Sequence, residues 1–318
     1  MSKARKSAGS GRKMLASSPA EAPPASQALP ESARPPQNLL KTPLFQATHA
    51  SRYQRQTLIR EIDRRSGTSL ICFVVGEHRE IERDDTLGFV DLLYNIRTDQ
   101  ALDLMIHTVG GDVDAAQKLI TLIHSRIEEK DRFRVIVPEY AKSAGTLMAL
   151  GGSTILMSDT SELGMIDPQY KLKDANGNEI WTSVVAYLQA YEQHSTAVNL
   201  DPEDRAAAAM LGRFDPVIVR KFQSQRDRAR DIAMHMLNRL GANSSAITES
   251  LLDLHRWKSH GQVIGYADAR EIGLNITYLP PHDQLWQLYW QLHCLQRLEV
   301  GKAKKLYESA LVSQVFET

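Results

Sequence analysis

Apolar and polar positions are not evenly mixed along this chain. "SLICFVVG" (69–76) is a continuous apolar run with β-branched members, the pattern of a strand buried on both faces. "DDTLGFVDLLYNI" (84–96) then sets apolar residues at helical spacing behind two aspartates, which suit a helix start. "ALDLMIHT" (101–108) reads as the next strand, and "VDAAQKLITLIHSRI" (113–127) as a helix with one apolar stripe. "RFRVIVP" (132–138) is a third strand, "SAGTLMALGG" (143–152) a short apolar helix ended by glycines, and "STILMS" (153–158) a fourth strand. Strands and helices alternate across short connections, which predicts an α/β fold with a mostly parallel sheet wrapped by helices.

The pattern changes after "LGMIDPQ" (163–169). "KDANGNE" (173–179) contains an Asn-Gly step and predicts a turn or hairpin tip. From Trp181 to Leu240 the spacing is mostly helical, with a break expected at Pro216, next to Asp215. Further helices are expected over 244–257 and 265–274, and a short strand over 275–280. "DQLWQLYWQLHCLQRLEV" (283–300) carries leucines and aromatics at helical spacing, the mark of a core or subunit contact rather than of a cofactor box. No internal repeat is evident.

Residues 1–45 are rich in Ala, Ser, Pro, Lys and Arg and bury too little apolar area to offset the entropy of ordering. They are expected to form a disordered basic tail, followed by one catalytic-size domain over 46–281 and a C-terminal helical extension over 282–318. Lys plus Arg balance Asp plus Glu, so the formal net charge is zero, which argues against a general nucleic-acid binder. Two distant cysteines, Cys72 and Cys294, suggest neither a disulfide framework nor a structural zinc site. No apolar run approaches the roughly 20 residues of a membrane span, and the basic N-terminus lacks the apolar stretch of a secretory signal. The expectation is a soluble cytoplasmic protein without a cofactor or metal.

Two glycine-containing turns carry the chemistry. In "HTVGGDVDAA" (107–116) a strand runs into Gly110-Gly111 and an acidic helix start. Such a pair lets backbone N–H groups face outward beside a helix N-terminus, where negative charge is favoured. In "YAKSAGT" (140–146) a strand runs into Ser143, then Ala144 and Gly145. Taken alone, Ser143 reads as a helix N-cap and the glycine pair as a tight turn. Taken together, they offer a nucleophile and amide donors at one edge of a parallel sheet, which is what acyl transfer needs. Neither segment matches the phosphate-loop or dinucleotide fingerprint.

"IHTVGGDVDAAQKL", "VIVPEYAKSAGTLMALGGSTILMS", "ELGMIDPQ" and the later "HRWKSHGQVIGYADAREIGLNI" resemble the serine dehydrogenase proteinase family, over about residues 55–280. That family sits in the superfamily of the caseinolytic protease proteolytic subunit, signal peptide peptidase A and crotonase. The resemblance implies a clp/crotonase fold of ββα and βαβ spiral units with additional C-terminal helices. It implies Ser143 as nucleophile, Gly110, Gly111 and Ala144 at the oxyanion-hole positions, and a homo-oligomer.

The general base stays open. Where the caseinolytic subunit carries a histidine after "LG", this chain has Asp167, which also suits a turn or cap. Lys171 and Lys221 flank the window in which signal peptide peptidase A carries its lysine, and Lys142 is expected to point away. His194 and His260 are further candidates. The expected function is a serine endopeptidase acting through a Ser143 acyl-enzyme on peptide or protein substrates. With no ATPase motif in the chain, a separate ATPase or adaptor partner would supply any unfolding. The alternatives are an inactive peptide-binding oligomeric scaffold and, less favoured, an acyl-coenzyme A enzyme.

Overall fold

A computed structural model describes residues 41–129, 132–173, 176–239, 241 and 243–317 of the chain. Most of the tail expected over 1–45 lies outside the described residues. The chain divides into two units, residues 1–48 and 49–318. The described part of the first holds one short helix, α1 (Pro43–Thr48).

The second unit opens with α2 (Ala50–Ser66), which ends at Gly67 in the left-handed region (φ 71°) and turns into β1 (Ser69–Val75). The alternation then runs as the apolar pattern predicts: α3 (Asp85–Tyr94), β2 (Leu102–His107), α4 (Val113–His124), β3 (Phe133–Ile136), the two-residue β4 (Tyr140–Ala141), α5 (Ala144–Ala149), β5 (Thr154–Met157) and β6 (Glu162–Leu163). A hairpin of β7 (Gln169–Lys173) and β8 (Glu179–Ser183) follows, its tip at the Asn-Gly step. Helices α6 (Val184–Leu200), α7 (Arg205–Leu211), α8 (Pro216–Asn238), α9 (Ser244–Leu252), α10 (Leu254–Trp257) and α11 (Tyr266–Glu271) come next. The chain closes with β9 (Ile276–Tyr278), α12 (Gln284–Val300), β10 (Lys304–Ser309) and β11 (Ser313–Glu317).

The main sheet has seven strands in the order β11-β10-β1-β2-β3-β5-β9, and the run from β1 to β9 is parallel throughout. Both faces are covered. Along β1, Ile71, Phe73 and Val75 join the core under α3, α4 and α5, while Leu70 and Cys72 join a second core with Ile59 and Ile62 of α2 and Trp286, Tyr289 and Leu292 of α12. That is why the strand lacks polar alternation. The aromatic stripe of α12 is therefore core.

Two expectations need correcting. Trp181 does not begin a helix: it lies in β8, and α6 starts after Ser183, whose hydroxyl accepts from the Ala186 N–H at 2.9 Å. The break at Pro216 stands as expected, with the Asp215 carboxylate accepting from the N–H groups of Val217 (2.7 Å) and Ile218 (3.2 Å). The segment 282–318 is only half helical, because β10 and β11 extend the sheet antiparallel beside β1. Charged Lys305 and Glu308 hid β10 from a reading of apolar pattern. In the fold Lys305 is buried against Asp85 (2.7 Å), and Glu308 against Arg55 (2.9 Å).

Candidate active site

The two turns singled out in the sequence meet at the C-terminal edge of the parallel sheet. β2 runs into Gly110-Gly111 ahead of α4, and β4 runs into Ser143 ahead of α5. Short backbone links hold the turns together: Thr108 N–H donates to the Tyr140 carbonyl (3.1 Å) and Lys142 N–H to the Thr108 carbonyl (3.0 Å). Below the serine, the Thr146 hydroxyl bridges the carbonyls of Ala141 (2.8 Å) and Gly164 (2.9 Å), fixing the "LGMIDPQ" segment beside the turn.

Ser143 is not a helix cap. Its φ is 51° and its ψ −117°, and its side chain makes no capping hydrogen bond. A non-glycine residue in this conformation costs about 1–3 kcal/mol, which the surrounding structure must supply. A strained turn at a half-buried serine, facing a cleft, is the arrangement that displays a nucleophile. Gly110 (φ 117°) and Gly111 (φ 143°) meet two demands at once, positive φ and close approach. A Cβ on Gly110 would come within 2.8 Å of Ser143 Cβ and 3.0 Å of the Lys142 carbonyl, and one on Gly111 would collide with the Ile81 backbone.

The amides around the serine are unequal. The Gly110 N–H donates to the Thr108 hydroxyl at 3.1 Å, so its own turn consumes it. The N–H groups of Gly111 and Ala144 make no hydrogen bond among the described residues. Two unengaged amides beside a serine are what a developing oxyanion requires.

Ser143, Gly110 and Gly111 line a cleft of about 570 Å³ together with Glu80, Tyr170, Trp181 and His260. The Tyr170 phenol is held above its usual pKa by burial and by the nearby carboxylates of Asp112 and Asp114. Among the lining residues, His260 is the one imidazole or amine. Its Nδ1 is buried and faces Asp167 Oδ2 at 3.5 Å. Asp167 is fully buried, and its Oδ1 accepts from the Val185 N–H at 3.1 Å. An antiparallel bridge between Leu163 and Ile264 draws the 258–264 loop onto the "LGMIDPQ" segment and so brings histidine and carboxylate together.

The other base candidates lie elsewhere. Lys171 pairs with Glu179 (3.5 Å) and sits over the Trp181 ring, with half its side chain exposed. Lys221 is exposed on α8, over the Tyr170 ring. His194 packs near Phe214 on α6. Lys142 turns to Glu162 and to the carbonyls of Leu163 (3.2 Å) and Gln262 (3.4 Å). None of the four lines the cleft. Asp167 lies beside His260.

Residues 38–190 match the ClpP-like SDH-type serine proteinase family. The matched segment contains Gly110, Gly111, Ser143, Ala144 and Asp167, and it stops before His260. Two relatives, both named uncharacterized proteins of Methanocaldococcus jannaschii, carry the likeness further. One is 29% identical over 244 residues, covering 76% of this chain and 76% of that protein. The other is 30% identical over 126 residues, 36% of this chain and 42% of that protein. Among solved structures, a variant of the 1510-N membrane-bound stomatin-specific protease aligns at 16% identity and TM-score 0.34, over 67% of this chain and 98% of that one. A second variant, in complex with a substrate peptide, aligns at 13% identity and TM-score 0.32, over 72% of this chain and 98% of that one. No helix among the described residues is long and apolar enough to cross a membrane.

Proposed function

We propose that the chain is a serine endopeptidase whose nucleophile is Ser143, whose base is His260 and whose imidazole is oriented by Asp167. One observation carries the reading: the strained Ser143 turn opens on the same cleft as His260, whose Nδ1 faces a buried carboxylate. His260 Nε2 takes the Ser143 Oγ proton as Oγ bonds to the substrate carbonyl carbon. The amides of Gly111 and Ala144 hold the oxyanion. The imidazolium then protonates the leaving amine as the C–N bond breaks, and water releases the acyl group by the same path. The 3.5 Å carboxylate–imidazole spacing is long for a hydrogen bond and tightens when substrate excludes water.

Tyr170 and Trp181, on opposite strands of the hairpin, form an aromatic wall for side chains of an extended peptide. A homo-oligomer goes with this reading. It is supported by Leu87, Val90 and Tyr94, which leave an exposed apolar stripe on α3. Free Cys72 and Cys294 fit a reducing cytoplasm, and a separate ATPase or adaptor would deliver folded substrates.

A second reading, a peptide-binding scaffold that does not cleave, draws support from the Gly110 amide being engaged by Thr108. A fluorophosphonate probe separates the two. Covalent labelling on Ser143, abolished in Ser143→Ala without change in oligomer size, is expected of the enzyme. A full chain that binds peptides but never labels is the scaffold.

A further inference from the structure

On the sheet face covered by α2 and α12, away from the cleft, three metal-ligating side chains converge. His107 is the last residue of β2, Glu139 lies just ahead of β4, and His293 projects from α12. Glu139 Oε2 is 3.4 Å from His107 Nδ1 and 3.0 Å from His293 Nε2, and one ligand atom from each residue lies within 4.8 Å of the others. His107 is fully buried, and neither of its ring nitrogens has a hydrogen-bond partner; Nδ1 of His293 also has none. A buried imidazole with both nitrogens unanswered is costly unless something else engages it.

We propose that His107, Glu139 and His293 form a three-ligand site for a divalent transition ion of the zinc type. Two imidazoles and one carboxylate are a donor set that zinc accepts with one position left open. Ligands at about 2.0–2.1 Å in a tetrahedral shell stand about 3.3 Å apart. The two glutamate–histidine spacings already have that length, and the histidine pair closes in on binding. Arg297 is the competing cation, with Nε 3.5 Å from Glu139 Oε2. It also reaches Glu77 at 3.2 Å, so an ion at Glu139 leaves the guanidinium a second carboxylate. The Tyr140 ring, 3.9 Å from the His107 ring centroid to centroid, closes one side of the site. The ligands come from distant parts of the chain, so no Cys/His spacing in the sequence announces them.

The ion would tie the strand ends that lead into Gly110 and Ser143 to α12. It acts as a brace behind the two turns and takes no part in bond making, so the inference stands whether or not Ser143 is a nucleophile. The test is cobalt and zinc titration of the full chain after dialysis against a chelator. One Co²⁺ per chain is expected, with the visible absorption of a low-symmetry site, displaced by Zn²⁺ and absent in the Glu139→Gln and His293→Gln variants. Zn²⁺ is expected to raise the Tm of the parent chain and not of the variants. Absorption retained in both folded variants would place the ion on surface histidines and overturn the proposal. Should the variants fail to fold, X-ray absorption on the zinc-loaded parent decides: two imidazoles in the shell support the site, and one or none, or no stoichiometric uptake, removes it.

Discussion

Replacing Asp167 by asparagine tests the base assignment without emptying the cleft. One carboxylate oxygen accepts from the Val185 N–H at 3.1 Å, and the other faces His260 Nδ1 at 3.5 Å. Asparagine has the same outline. Its carbonyl oxygen stays on Val185, because an NH₂ group there would set donor against donor. The NH₂ then faces His260 and suits only the tautomer in which Nδ1 accepts. In that tautomer Nε2 already carries the proton and cannot take one from Ser143. The carboxylate's attraction for the imidazolium formed during attack is lost as well. At 3.5 Å and an effective dielectric of about 20 that attraction is on the order of 5 kcal/mol. At about 1.4 kcal/mol per decade, it is worth roughly 10³–10⁴ in rate. The tautomer argument gives a similar figure, since the same exchange in a Ser-His-Asp enzyme costs about 10⁴. The assay is the rate of fluorophosphonate labelling at Ser143, which needs no known substrate. Labelling is expected to fall by roughly 10³ or more, with little loss of Tm because a buried charge has been removed. His260→Gln is expected to be as slow, and the double variant no slower than either, because the pair acts as a unit. An Asp167→Asn chain that labels as fast as its parent would refute the argument and return the base to Lys171, Lys221 or His194.

Four other perturbations test further parts of the fold. Gly110→Ala forces a side chain into φ 117° and 2.8 Å from Ser143 Cβ. Denaturant melts are expected to show about 1–3 kcal/mol lost, and labelling to be abolished. Gly177→Ala, at φ 85° with open space around it, is expected to keep labelling intact. Burial first, then the nearby Asp103, pushes the Asp63 carboxyl up to about 6, against about 3.9 for a free side chain. The folded chain therefore holds that proton more tightly than the unfolded one. The group costs nothing at pH values below about 4, and its cost builds between about pH 4 and 6, to at most about 3 kcal/mol. Asp63→Asn keeps an acceptor for the Leu70 N–H, so it is expected to raise Tm at pH 8 and leave it unchanged at pH 4. An equal shift at both pH values would contradict this account. Finally, Leu87→Glu with Tyr94→Glu changes side chains that are 69% and 77% exposed. Light scattering is expected to show a smaller assembly with unchanged secondary structure, and an unaltered mass would move the interface elsewhere.

The parts legible in the sequence were those set by local pattern. β1 is buried on both faces and so reads as a continuous apolar run, and α4 declares itself by one stripe behind Asp112, which caps it at 2.7 Å. Ser143 and its glycine partners were legible because positive φ and close approach leave few residue types to choose from. What stayed hidden depends on pairs that meet only in space. β10 earns its place through Lys305 with Asp85 and Glu308 with Arg55, four charged residues that no hydropathy pattern would bury. Which glycine amide remains free turns on one hydroxyl, Thr108, two positions upstream of Gly110.

The base proposed above follows the same logic. Asp167 occupied a recognisable place in the sequence, and the matched family segment reaches it, but its partner lies beyond that segment on a loop ordered by one bridge, Leu163 to Ile264. Asp167 is fully buried, and the Val185 N–H answers one of its oxygens. The second oxygen has no hydrogen-bond partner among the described residues, and His260 Nδ1 faces it at 3.5 Å. In the proposed mechanism an Nδ1–H turned to Asp167 would leave the Nε2 lone pair of His260, a residue of the same cleft, to serve Ser143. In that mechanism the partner needed by one buried side chain and the tautomer needed for attack by the serine are the same. The proposed histidine meets both demands, whereas Lys171 and Lys221 stand outside the cleft lining.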